Sequence, residues 1–336
     1  MRAIVLNGYG GNGKLAIADV PEPRVRQGQL LIRSAYAGLN PVDFKTRDGK
    51  LRLIWPLRFP HVLGQEIAGH VAEVGSGVTG FAVGDAVFAR LEKARMGGFA
   101  PLVTTPAALV AKTPRGLPLE VAAGVPLVTL TAWQVLFEAF SLQADQTVLV
   151  HGGAGSVGRV LLQFARDAGA HVTTTVGGWA KDLALSLGAE SVIDYRQERF
   201  ETRPERYDLV VDCVGGDTLD RSFAVVKPGG AVISIAGVPE PQTADDLGVG
   251  PVLRAMFFLI SRRHRAAARR AGARYRYVFM RPDGARLAAV AQRIETGKLA
   301  VSIDRVFSAT DFAAAFAYQE GGKVRGKVIL DLASLR

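Results

Sequence analysis

The spacing of apolar residues divides the chain into three stretches of different character. Through residues 1–115, short apolar runs are punctuated by Gly and Pro. Examples are Leu30-Leu31-Ile32-Arg33, the imperfect alternation of Ile67–Val74 before Gly75-Ser76-Gly77, and Ala86–Ala89 after Gly84-Asp85. Closely spaced strands of this kind predict an antiparallel β-rich domain. The character changes near Pro118. Residues 119–140 read as helical, and strand-like and helical segments then alternate: Thr147–His151, Ser156–Ala168, His171–Val176, Trp179–Leu187, Ser191–Asp194, Tyr207–Val214, Thr218–Val226 and Ala231–Ala236. That alternation predicts right-handed βαβ units and a parallel sheet covered on both faces. After Gly237 the pattern loosens. Residues 251–276 run from apolar to basic; Tyr275–Met280, Val301–Phe307 and Lys327–Leu330 read as strands, and Gly284–Thr296 and Asp311–Gln319 as helices. The economical architecture inserts a parallel-sheet domain between two halves of a β-rich one.

The strongest local signal is Val148-Leu149-Val150-His151-Gly152-Gly153-Ala154-Gly155-Ser156-Val157-Gly158, which leaves a strand and opens a helix. Its Gly152-x-x-Gly155-x-x-Gly158 spacing is a variant of the dinucleotide fingerprint. The first two glycines allow a tight turn and close approach of backbone to a pyrophosphate, and the third allows close helix–sheet packing. Unpaired N–H groups at the helix start suit phosphate. A glycine string alone would be only a tight turn; its place among βαβ units makes it a nucleotide loop. No Lys-Ser/Thr closes it, which argues against a P-loop. Gly152, Ala154, Gly155, Ser156, Val157 and Gly158 are the cofactor-binding candidates here.

An NAD site usually carries an acid at the end of the second strand, on the ribose 2′-OH. Here that strand ends Thr175-Val176-Gly177-Gly178 without one, and Lys181 follows. NADPH is the expected cofactor. Read alone, Lys181 is an ordinary exposed lysine.

Composition changes the picture in three places. There is one cysteine among 336 residues, Cys213, which rules out an intrachain disulfide and any Cys-cluster zinc site. Its apolar surroundings predict a packed-away thiol. No apolar run reaches the ~18 residues of a membrane span, and MRAIVLNGYG lacks a signal-peptide core, so the cytoplasm is the expected compartment. The net charge is +10, with Arg262, Arg263, Arg265, Arg269, Arg270, Arg274 and Arg276 in one stretch. A polyanion partner is one reading. A solvated helix face is the simpler one, since no aromatic interrupts Arg262–Arg274 as a base-stacking surface requires.

Taken together, these motifs resemble the zinc-independent quinone oxidoreductase branch of the medium-chain dehydrogenase/reductase superfamily and the related enoyl reductases. The marks are Gly38-Leu39-Asn40-Pro41-Val42-Asp43, Gly64-Gln65-Glu66-Ile67-Ala68-Gly69, Val74–Val78, Phe81–Val87, Leu130-Thr131-Ala132-Trp133, the loop Gly152–Gly158, and Gly326-Lys327-Val328-Ile329-Leu330. The resemblance implies an α/β chain: a Rossmann doubly wound parallel-sheet domain (120–250) inserted into a β-rich GroES-like catalytic domain (1–119 and 251–336). It implies hydride transfer from NADPH to a small electrophilic substrate, a quinone or enone, in a homodimer. Zinc-dependent relatives place Cys and His where this chain has Asn40 and Gln65, both poor zinc ligands, so no metal is expected. Asn40 and Thr131 are implied beside the nicotinamide ring. Gly177, Lys181 and Tyr195 are implied around the 2′-phosphate, Val214, Ile235 and Gly237 after strands facing the nucleoside, and Lys327 at the cofactor through the terminal motif. Asn40, with backbone N–H groups, is the leading donor to a substrate oxygen.

The segment Phe44–Trp55 contains no tyrosine, which departs from many quinone oxidoreductases and leaves the proton donor open between Lys45 and water. Three other functions stay open on the residues: an enoyl-thioester reductase, a nucleotide-sensing or RNA-binding protein using Arg262–Arg276, and peripheral membrane association through Leu253–Ile260 and the arginines.

Overall fold

The structure, a computed structural model, describes residues 1–336. The chain forms two compact units, Met1–Leu130 with Pro282–Arg336, and Thr131–Arg281.

The first unit is β-rich, as expected. Gln29–Leu39 lies at the centre of a seven-stranded sheet, antiparallel to Glu66–Val74 on one side and to Lys327–Asp331 on the other. Ala86–Arg90 and Val110–Lys112 extend it one way, and Ile303–Ser308, parallel to Lys327–Asp331, extends it the other. A small sheet of Leu15–Asp19, Arg2–Leu6 and His61–Val62 completes the strands. Leu30, Ile32, Leu39, Phe99, Phe316 and Leu330 share its core. The return of the chain pairs Val328 with Leu39 and so brings the preceding Lys327 to Asn40.

The second unit is a six-stranded, wholly parallel sheet. Its order is Ser191–Asp194, His171–Val176, Thr147–His151, Tyr207–Asp212, Val226–Ser234, Arg274–Tyr277. The order reverses at Thr147–His151, the doubly wound topology in which ligands bind beyond the carboxyl ends of the strands. Val148–Val150, Leu209–Val211 and Ala231–Ile233 are at most 1% exposed. Strands covered on both faces need such continuous apolar runs, and alternation would leave polar groups inside.

The division between units differs from the expected 119/120 and 250/251. Residues 251–281 belong to the parallel-sheet unit, because Arg274–Tyr277 is its sixth strand and Tyr275 joins its core with Val232. The expected Tyr275–Met280 strand is therefore shifted toward the N-terminus. The stretch 119–140 is helical but broken, into Leu119–Ala122, Pro126–Trp133 and a π-helical Gln134–Phe140. No helix is long and apolar enough to cross a membrane.

Candidate functional site

In the parallel-sheet unit, the glycine loop folds as its spacing requires. Gly152 turns at φ 77°, and Gly155 caps the Ser156–Asp167 helix. A Cβ on Gly158 would lie 2.2 Å from the Gly152 carbonyl oxygen and 2.7 Å from the Gly153 Cα. Any side chain there would push apart loop and helix. Arg159 fastens the loop from below, its Nε donating to the Ala154 carbonyl at 2.9 Å. His151, fully buried at the strand end, lies 3.1 Å from the Thr175 hydroxyl, and burial holds its imidazole down to about 3. It stays neutral behind the loop.

Beyond the fourth and fifth strands, one buried acid organises two turns. Asp212 Oδ1 accepts from the Val214 and Gly215 amides at 3.0 and 2.8 Å, and Oδ2 accepts from the Ser234 hydroxyl at 2.6 Å. Ser234 Oγ in turn accepts from the Gly237 amide at 2.7 Å, and the Ile235 amide donates to the Asp212 carbonyl at 3.0 Å. Val214, 56% exposed, reaches the Gly152 turn. Val214, Ile235 and Gly237 thus stand at one end of the sheet with the loop. Asp212 had no motif to mark it; an acid closing an apolar strand was its only signal.

At the second strand, Gly177 starts a tight turn that leads to Lys181. The edge strand Ser191–Asp194 delivers Tyr195, 59% exposed, and Arg196, whose guanidinium carbon lies 3.7 Å from where a Gly177 Cβ would sit. Arg196 is a second cation that the sequence reading missed. Asp194 also comes here, its Oδ2 2.7 Å from the corresponding point on Gly178. The second strand lacks an acid, but its neighbour supplies one. Cys213 is half-buried, its thiol pushed up by burial and by Asp212.

In the β-rich unit, the motifs around Asn40, Gln65 and Lys327 converge on a buried polar cluster. Asn40, Gln65, Glu66, Arg90, Lys327 and Asp43 are each at most 2% exposed. Lys327 Nζ donates to Glu66 Oε1 at 2.6 Å and to Asn40 Oδ1. The Asn40 Nδ2 group donates to Glu66 Oε1 at 2.7 Å and to the Gly38 carbonyl at 3.3 Å. Glu66 Oε2 accepts from the Leu127 amide at 2.7 Å. Gly38 must lack a side chain, since its Cβ would lie 2.2 Å from Glu66 Oε1. Both Asn40 N–H groups are committed, whereas an ammonium has three and Lys327 uses two. The uncommitted donor is on Lys327, whereas the sequence reading expected Asn40 to offer one. Thr131, buried in the Pro126–Trp133 helix, is the first residue of the parallel-sheet unit and no part of this cluster. Lys45 is half-buried, and burial, then Lys50, lowers its pKa.

Arg90 donates to the side-chain and backbone oxygens of Gln65, and burial lowers its pKa to about 10. Asp43 accepts from the Asn40 amide at 2.8 Å; burial outweighs Arg90 and raises its carboxyl to about 7. The folded protein therefore keeps a proton that the unfolded chain sheds near 3.8. Its contribution to stability is complete below that value and is lost as pH rises toward 7. Melting temperatures across this window should fall with pH, and Asp43→Asn should remove that component; an identical slope in both proteins refutes the assignment.

Residues 26–115 match the family model "Alcohol dehydrogenase GroES-like domain", and 187–330 match "Zinc-binding dehydrogenase". The chain is similar to the chloroplast envelope quinone oxidoreductase homolog of Arabidopsis thaliana, at 30% identity over 98% of both chains. It belongs to the medium-chain dehydrogenase/reductase superfamily, in its quinone oxidoreductase and enoyl reductase branch. Within that superfamily it is also similar to the 2-methylene-furan-3-one reductase of Solanum lycopersicum, 32% identical over 98% of this chain and 79% of the relative. A mycobacterial protein solved in complex with NADPH superposes with a TM-score of 0.79, at 31% identity, over 98% of this chain and 99% of that one. The superfamily's Rossmann and GroES-like folds are those seen here.

The zinc in the matched description meets an unsuitable donor set in this chain. Asn40 and Gln65 offer amide oxygens already held by an ammonium and a guanidinium. A metal cation there would face two fixed positive charges, and no three His, Cys, Asp or Glu residues come together elsewhere.

Proposed function

We propose that this protein is a zinc-free, NADPH-dependent oxidoreductase reducing quinones or α,β-unsaturated carbonyl compounds. The observation that carries the reading is the buried Lys327 ammonium, fixed by Asn40 and Glu66 with one N–H uncommitted. A positive donor held in place without a metal suits an oxygen that gains negative charge during reduction.

The Gly152–Gly158 loop and the start of the Ser156–Asp167 helix would hold the pyrophosphate through backbone N–H groups, with Ala154, Ser156 and Val157 lining it. Gly177, Lys181, Tyr195 and Arg196 would receive the 2′-phosphate, and Val214, Ile235 and Gly237 the nucleoside. The Thr131 hydroxyl would orient the nicotinamide carboxamide. When bound, the reduced nicotinamide supplies a hydride. Glu66 and Asn40 hold the Lys327 side chain in place in a dry site, so the donor needs no reorganisation as charge develops. Water supplies the final proton. The single cysteine suits a reducing compartment such as the cytoplasm. A homodimer belongs to the same reading, because Arg274–Tyr277 is an edge strand to which a second copy can add.

Steady-state oxidation of NADPH with 1,4-benzoquinone and with a simple enone tests the proposal. Turnover of either is expected; a folded protein that binds NADPH yet is inert to both overturns it. Cofactor choice is read separately by titration. Lys181 and Arg196 oppose Asp194 at the ribose, and two cations outweigh one acid for a dianionic phosphate. NADPH should bind more tightly than NADH, and a Lys181→Ala/Arg196→Ala variant should weaken NADPH by about tenfold or more while sparing NADH. Equal loss for both cofactors removes the two cations from the 2′-phosphate.

A further inference from the structure

Between Gly248 and Pro282 the chain holds nine arginines and no Asp or Glu. Two helices occupy most of this stretch, Pro251–Ile260 and Arg262–Arg270. Ser261 between them is helical (φ −85°, ψ −2°), and the ladder runs through it: the Ser261 amide donates to Phe257 at 3.1 Å and the Arg265 amide to Ser261 at 3.0 Å. Leu253, Phe257, Ser261, His264 and Ala268 form one inward stripe at steps of three and four, of which Phe257, Ser261 and Ala268 are at most 2% exposed. A continuous inward stripe fixes a continuous outward one.

The outward stripe changes chemistry half-way. Val252, Met256 and Leu259 lead, with Ile260 beside them, and Arg263, Ala266 and Arg270 follow. Val252 is 82% exposed, Leu259 67% and Ile260 45%. Asp220 pairs with Arg263 at 3.0 Å, and Asp245 with Arg254 at 2.9 Å. Arg270 on this stripe, and Arg262 and Arg269 along one flank of it, are exposed and have no acidic partner.

We propose that this face docks on an anionic lipid surface, the apolar half entering the headgroup–acyl boundary and the arginines meeting lipid phosphate. Charge complementarity selects this occupant. Nucleic acid would answer the arginines and leave Val252 and Leu259 in water. A second copy seated on this face would answer the apolar half and bring unneutralised arginines against it or against each other. Only an anionic interface takes both halves at once. The proposal is independent of the redox chemistry.

Co-sedimentation of the full chain with vesicles tests it. Phosphatidylcholine vesicles containing phosphatidylglycerol should retain the protein, pure phosphatidylcholine vesicles should not, and raised salt should release it. Each arginine at the surface accounts for roughly fivefold in partitioning. Arg262→Gln/Arg269→Gln/Arg270→Gln should therefore lose well over tenfold, with a nearly unchanged melting temperature because these side chains are exposed and make no ion pair. Leu259→Ser/Ile260→Ser should also lose binding. A wild type that stays in the supernatant overturns the proposal, as does one that binds a mixed-sequence oligonucleotide but no vesicle. Two variants that sediment like wild type also overturn it, as does a Leu259→Ser/Ile260→Ser variant whose only change is its oligomeric state.

Discussion

Lys327→Met is expected to lower kcat for quinone or enone reduction by about a hundredfold or more, the cost of losing one aimed donor to a developing oxyanion. It should also destabilise the fold by about 3–5 kcal/mol, because Glu66 is left 0% exposed without its ion-pair partner. The two effects separate in a second variant. Lys327→Met/Glu66→Gln removes both charges and leaves an amide oxygen to accept from Leu127, so most of the stability should return. Activity should not return, since the donor is gone. NADPH affinity should stay near that of the wild type in both proteins, which places the defect in the chemical step. A Lys327→Met enzyme with undiminished kcat would remove Lys327 from the mechanism, and a double variant as active as wild type would reduce the pair to a structural ion pair.

Gly158→Ala should weaken NADPH binding by about a hundredfold and lower the melting temperature by several degrees. The reason is steric and confined to backbone atoms: a methyl group there lies 2.2 Å from the Gly152 carbonyl oxygen, and neither the loop nor the helix can yield without the other. Gly155→Ala is the matched control for stability. Its φ of −73° is open to any residue, and a Cβ would meet only the Gly152 oxygen at 3.3 Å. Its melting temperature should stay within a degree or two of wild type. Titration of cofactor fluorescence and thermal melts read both variants; equal melting temperatures would show that the helix–loop approach is not under the constraint described.

Much of the nucleotide-binding unit was legible in the chain. Its strands are continuous apolar runs because both faces are covered, and its helices and loop repeat at short range, so each element carries its own signature. The same locality explains the misplaced boundary. Arg274-Tyr275-Arg276-Tyr277 looks like a half-exposed strand of any sheet; only its pairing with Val226–Ser234 assigns it to this one.

The candidate reaction site was legible as residue types and not as chemistry. Asn40 and Gln65 stood where zinc ligands stand in relatives, which told against a metal but did not show how Lys327 packs against Asn40. Lys327 is 287 residues from Asn40 and 261 from Glu66, and no periodic pattern spans such distances. Arg196 and Asp212 were silent for a related reason, as a charged residue at a strand end is ordinary until the turns around it are seen. The chain by itself determined the β-rich and parallel-sheet parts and the glycine turn, since these follow from local periodicity and glycine sterics, and its ordered motifs carried the resemblance to the superfamily. Tertiary structure alone decided which buried charges face each other and which hydrogen-bond donors remain unspent. Those depend on desolvation and on partners brought from distant strands, and a one-dimensional pattern does not record either.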